Sequence, residues 1–72
     1  MSRLDKHGLE TDKCGTRYWY NAGLLHRLDG PAVEFPDGSA EWWLNGELHC
    51  ETRPAIIHND GTEEWWINGE RF

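Results

Sequence analysis

Apolar residues in this chain come in short runs, and each run is cut off by a turn. Ala32-Val33-Glu34-Phe35 is followed by Pro36-Asp37-Gly38, and residues 40–44 are followed by Asn45-Gly46. The same order returns as residues 55–58, Asn59-Asp60-Gly61, residues 63–67 and Asn68-Gly69. Runs of four or five residues rich in β-branched and aromatic side chains predict strands. Asp-Gly and Asn-Gly between them predict tight turns, because these residues accept a positive φ. No segment spaces its apolar positions as a helix would, and eight glycines disfavour helix throughout. The pattern therefore predicts an all-β chain, an antiparallel meander of stacked hairpins forming an open sheet.

The runs recur with a period of 23 residues. At that shift His26 falls on His49, Pro31 on Pro54, Ala32 on Ala55 and Asp37-Gly38 on Asp60-Gly61. Glu41-Trp42-Trp43 falls on Glu64-Trp65-Trp66, and Asn45-Gly46-Glu47 on Asn68-Gly69-Glu70. Shifted the other way, Trp19-Tyr20 falls under Trp42-Trp43, Gly23 under Gly46 and His26 under His49, and the match fades upstream of Cys14. The chain thus divides into one domain over residues 1–72, with a degenerate capping unit at 3–25 and full units at 26–48 and 49–71.

Trp43-Leu44-Asn45-Gly46-Glu47-Leu48-His49, Trp66-Ile67-Asn68-Gly69-Glu70 and the earlier stretch 19–26 resemble the Trp-x-Asn-Gly-x-x-His core of MORN repeats. The resemblance covers roughly residues 15–72 and implies a twisted open sheet of stacked hairpins. It also implies a role in scaffolding or binding other proteins. The chain departs from the family pattern at Glu41 and Glu64, where the family has glycine. It departs again at Asp29-Gly30-Pro31 and Thr52-Arg53-Pro54, where the family's glycines after the His are missing. It is similar to the divergent, short variants of phage and bacteria.

Neighbouring side chains on a strand point to opposite faces, so each tryptophan pair divides. Trp19, Trp42 and Trp65 would form one ladder, and Tyr20, Trp43 and Trp66 the other, the latter sharing its face with Glu41 and Glu64. Two readings follow. Either both ladders fill a core that a short chain needs, or the ladder flanked by Glu41 and Glu64 is partly exposed and binds a partner. A homodimer would satisfy both, and the open edges of a meander offer it a route.

Charge narrows the partners. The formal net charge is -6, but residues 1–27 sum to +2 and residues 28–72 to -8. Such a surface repels phosphate, which argues against direct nucleic-acid or anionic-membrane binding and favours a basic protein. The lipid binding attributed to some MORN proteins is disfavoured on the same ground. The first eight residues contain no apolar run of the signal-peptide kind, so the expected compartment is the cytoplasm, with Cys14 and Cys50 as free thiols.

Residues capable of chemistry are present, but their spacing is unfavourable. His26, His49, His58, Cys14 and Cys50 lack Cys-x-x-Cys or His-x-x-x-His spacing, so no metal site and no cofactor is expected. The bland role for His26 and His49 is to pack on, or hydrogen-bond across, their hairpin turn. Asp29 and Arg27 could pair, setting the geometry of a hinge at Gly30-Pro31. A short meander offers little concavity for a nucleophile or a carboxylate pair, so the chain is not expected to be an enzyme. The leading expectation is a non-enzymatic protein-interaction module binding through Tyr20, Trp43, Trp66, Glu41 and Glu64. Its sharper form is a small phage-type inhibitor docking on a basic host surface. The alternatives are a binder of sugars or nucleotides by aromatic stacking, and a purely structural homo-oligomer.

Overall fold

The computed structural model describes residues 8–71. The reading of the first residues as free of a leader segment, the onset of the first unit at residue 3, and Phe72 lie outside the described residues.

The described residues contain strands and turns and no helix. The strands are β1 (Gly8–Thr11), β2 (Arg17–Asn21), β3 (Leu24–Leu25), β4 (Val33–Glu34), β5 (Ala40–Glu41), β6 (Trp43–Leu44), β7 (Glu47–Leu48), β8 (Ile56–Ile57), β9 (Glu63–Glu64), β10 (Trp66–Ile67) and β11 (Glu70–Arg71). All pairings are antiparallel. One sheet runs in the order β1-β2-β4-β5-β8-β9 with β3 also on β2, while β6-β7 and β10-β11 are separate hairpins.

Local chemistry explains the turns. Asn45 (φ 50°) with Gly46 (φ 82°) and Asn68 (φ 49°) with Gly69 (φ 80°) adopt two successive left-handed residues, which close two-residue hairpins without splaying the strands. Ala22 (φ 51°) occupies the same conformation before Gly23, at a higher cost because its methyl lacks the local hydrogen bonding of an asparagine side chain. In the other turns an aspartate carboxylate binds the backbone two residues on. Asp37 Oδ1 accepts from Ser39 N at 2.9 Å and Ser39 Oγ at 2.6 Å, and Asp60 Oδ1 from Thr62 N at 2.9 Å and Thr62 Oγ1 at 2.7 Å.

The structure corrects the expected strands. Residues 40–44 and 63–67 do not run straight but split at Trp42 and Trp65, one half in the main sheet and the other in its own hairpin. At Trp42 the partner along one edge changes. Its N–H donates to Ala55 O at 2.6 Å, and its C=O accepts from His49 N at 3.0 Å. Two short segments, β7 and β8, therefore lie end to end along one edge and meet at this residue. Trp19 makes the corresponding pair of bonds, to Ala32 O (2.8 Å) and from His26 N (3.0 Å).

The core is also not where the aromatic pattern put it. Among the described residues the buried apolar side chains are Ala32 (0% exposed), Val33 (2%), Cys50 (7%) and Ala55 (0%), and no large side chain is fully buried. Ala32 and Ala55 sit where a tryptophan N–H bonds their carbonyls, and the space there is closed around a methyl group. A short chain without a helical layer seals small residues and leaves the indoles half-covered.

The histidine expectation changes as well. His26 Nδ1 accepts from Asn45 N at 2.9 Å, and His49 Nδ1 from Asn68 N at 2.9 Å. Each imidazole thus holds the Asn-Gly turn at the far end of its own unit, 19 residues on, and not the turn it directly follows. Gly46 N to Leu25 O (2.8 Å) and Gly69 N to Leu48 O (2.9 Å) reinforce the same junctions.

Candidate interaction surface

Tyr20, Trp43 and Trp66 are half-buried, as are Glu41 and Glu64. Residues two apart on a strand share a face, and here they bond. Trp43 Nε1 donates to Glu41 Oε1 at 2.9 Å, and Trp66 Nε1 to Glu64 Oε1 at 3.0 Å. The glutamates therefore clamp the indoles, spending one carboxylate oxygen on each. Two residues before Tyr20 stands Tyr18 in place of a glutamate. The two phenol rings stack with centroids 6.3 Å apart and planes at 27°. Among the described residues ring stacking joins Tyr18 to Tyr20 and does not run along Tyr20, Trp43 and Trp66.

Glu64 is the more engaged of the two acids. Its Oε2 lies 2.8 Å from His58 Nε2, and its Oε1 lies 3.9 Å from Arg71 Nε. The hydrogen bond with His58 and then that from Trp66 hold its carboxyl below the ordinary glutamate range, against a smaller opposing effect of desolvation. Asp37 and Asp60 are likewise lowered, chiefly by their bonds from Ser39 and Thr62. At the other end Asp12 accepts from Cys14 N (2.9 Å), Thr16 N (3.0 Å) and Tyr18 Oη (3.1 Å). Desolvation pushes its carboxyl up, but these bonds together outweigh that and lower it.

The second aromatic set is decorated by arginines, which the pattern of residues did not foretell. The Arg27 guanidinium lies over the Trp19 ring at 3.9 Å, and that of Arg53 over Trp42 at 5.0 Å. Arg27 also donates from Nε to Asp29 Oδ1 (3.1 Å), and from one terminal nitrogen to Pro31 O (3.1 Å) and Glu34 Oε2 (3.4 Å). The Arg27–Asp29 pairing considered from the sequence is thus part of a larger clasp. Gly30 makes room for it, since a Cβ there would stand 2.8 Å from Arg27 Cζ. The legible signal was a glycine held between Asp29 and the rigid Pro31, three residues after an arginine.

A groove of about 350 Å³ opens beside this clasp, lined among others by Arg27, Leu28, Trp42, His49 and Cys50. Leu28 is 78% exposed at its margin, and Trp65, the last of the set, is 42% exposed. Cys50 is buried and Cys14 exposed, both as free thiols. Among the described residues no three His, Cys, Asp or Glu side chains gather as metal ligands. No helix among them is long and apolar enough to cross a membrane. Comparison with protein-family models, curated proteins and solved structures finds no match to this chain.

Proposed function

We propose that the chain is a non-enzymatic protein-interaction module, a MORN-like array with a 23-residue period, that acts in the cytoplasm and engages a basic partner. The observation that carries this reading is the pair of clamped, half-exposed indoles, Trp43 on Glu41 and Trp66 on Glu64. A tryptophan fixed in one rotamer before binding loses little entropy on contact, and anchors of this kind dominate protein interfaces. The acidic balance of residues 28–72 selects a cationic surface and speeds its encounter. In its sharper form the module is a small phage-type inhibitor that covers a basic host surface.

The periodic part of the reading is supported by bonds that recur 23 residues on. His26 to Asn45 repeats as His49 to Asn68, and Leu25 to Gly46 repeats as Leu48 to Gly69. Arg27 N to Trp43 O repeats as Cys50 N to Trp66 O. Junctions made by the same groups describe an array in which each hairpin is locked by its neighbour.

Titration with arginine-rich peptides, followed by tryptophan fluorescence, tests the module. The expected response weakens steeply with added salt and is lost in W43S/W66S, with circular dichroism checking the fold. A salt-insensitive response to neutral sugars, with none to cationic peptides, would reassign the surface to small-ligand stacking. A concentration-dependent mass that W43S/W66S abolishes, with no response to either probe, would reassign it to self-assembly.

A further inference from the structure

Two tryptophans in this molecule are covered in the same way, and a third in the same position is not. Trp19 N–H bonds to Ala32 O, β4 pairs with β2 through Arg17↔Glu34 and Tyr18↔Val33, and Arg27 caps the indole. Trp42 N–H bonds to Ala55 O, β8 pairs with β5 through Ala40↔Ile57 and Glu41↔Ile56, and Arg53 caps the indole. In both cases the arginine lies in the segment that leads into the pairing strand. Among the described residues β9 ends the sheet, its outer edge pairs with no strand, and no guanidinium covers the half-exposed Trp65.

We infer that the outer edge of β9, with Trp65, is a docking site for an extended segment of another protein. The inference rests on the interaction-module reading and names the partner's chemistry. The two occupied edges act as templates for the third. The incoming strand carries a small residue whose carbonyl accepts the Trp65 N–H, then a β-branched residue to oppose Glu64, as Val33 and Ile56 do in the templates, and one further residue to oppose Glu63. An arginine shortly before them lies over the indole. A main-chain ladder supplies affinity, and the arginine and the small residue supply specificity. Arg53-Pro54-Ala55-Ile56-Ile57 is the chain's own example of such a segment. Glu63 and Glu64, within a stretch of net negative charge, favour the cation over an acidic competitor.

A second copy added head to tail fits this edge poorly. The other edge of the sheet is β1, which places Leu9 at the position of the fully buried Ala32 and Ala55. It also places Glu10 at the position of Val33 and Ile56, so head-to-tail addition would set Glu10 directly opposite Glu64. Like charges in directly opposed positions destabilise a strand pair. Head-to-tail addition of a second copy is thus disfavoured relative to a segment with a β-branched residue at that position.

The probe is a synthetic peptide copying residues 51–58, Glu-Thr-Arg-Pro-Ala-Ile-Ile-His, titrated to millimolar concentration into the isotopically labelled chain. Amide shifts are expected to centre on Glu63, Glu64 and Trp65, with slowed exchange of the Trp65 amide. In the peptide, R53Q is expected to weaken binding roughly threefold to tenfold, and A55L to abolish it. In the protein, W65S is expected to remove the arginine dependence. Binding unchanged by R53Q overturns the inference, as do shifts centred on β5 and β8, which signal strand exchange. A mass that doubles without peptide also overturns it, since a second copy then holds the edge. Response of Trp43 and Trp66 to arginine-rich peptides, with β9 silent, overturns this inference and leaves the module standing. Silence of both surfaces removes both.

Discussion

The strand Arg17–Asn21 runs unbroken through Trp19, whereas residues 40–44 and 63–67 each split at the corresponding tryptophan. The sequences at the three places are alike, so the difference lies in what flanks them. β2 has one continuous partner along one edge, with β1 paired from Gly8↔Tyr20 to Thr11↔Arg17. Where β1 has Gly8, the later stretches have Pro31 and Pro54, which lack an N–H and cannot extend a ladder. There the chain arrives from the preceding hairpin instead, and Arg27 N and Cys50 N bond to Trp43 O and Trp66 O. Residues 40–44 thus meet short segments lying end to end on both edges, and the strand bends where the segments join. A strand's continuity is thus set by its neighbours as much as by its own residues.

The largest expected effect separates the buried alanines from their counterpart on β1. Ala55→Leu should cost about 2–3 kcal/mol or more, because a sealed position cannot take three further carbons. Leu9→Ala, on a leucine 52% exposed, should cost well under 1 kcal/mol by the same urea titration. Equal losses would mean that the two positions are not alternatives of one design.

Next comes the clasp over Trp19. Arg27→Ala should cost about 1–2 kcal/mol through lost packing and hydrogen bonds. Gly30→Ala should cost about 1 kcal/mol by displacing the same guanidinium, so the double mutant should cost less than the sum. Strict additivity in that cycle would show that the glycine serves something other than Arg27. Arg53→Ala, whose guanidinium lies farther from its ring, should cost less than Arg27→Ala.

The junctions and turns follow. His49→Phe keeps the ring but removes the acceptor for Asn68 N, and should cost about 1 kcal/mol. Ala22→Asn should instead raise stability by about 0.5–1 kcal/mol, because asparagine tolerates the left-handed conformation that alanine is forced into. A loss on Ala22→Asn would show that the first turn is held by its surroundings rather than by the residue's own preference.

The smallest effect is in acid. Glu64 has a lowered carboxyl pKa in the folded chain, owing first to His58 and then to Trp66. A lowered folded-state pKa adds stability above the ordinary glutamate range, and that contribution is lost as pH falls through the lowered value. Glu64→Gln should flatten that part of a pH-dependent melting curve. In the first stretch Tyr18 occupies this position and donates to Asp12, so Tyr18→Phe should raise the Asp12 carboxyl pKa instead and leave that of Glu64 unmoved, read residue by residue in an NMR pH titration.

Much of this was legible in the residues. Asn45-Gly46 and Asn68-Gly69 had to form turns, because few other pairs accept two left-handed residues in succession. Glu41 and Trp43 had to share a face, because the strand period is two, and the indole-carboxylate bond follows from that. Of the candidate surface, the two Glu-Trp pairs are joined by bonds, while Tyr20 stacks on Tyr18 rather than on Trp43. The arginine caps were not legible, since Arg27 and Arg53 do not occupy matching positions at the 23-residue shift.

By itself, then, the sequence determined the all-β class, the turn positions and the division of each Trp-Trp pair between two faces. These depend on φ preference and side-chain alternation, which are properties of a few adjacent residues. Tertiary structure decided where strands break, that alanines rather than tryptophans are sealed, and that each histidine holds an Asn-Gly turn 19 residues on. Those outcomes depend on which segments compete for one strand edge and on how little volume a thin sheet can close. Both are settled only when distant parts of the chain meet.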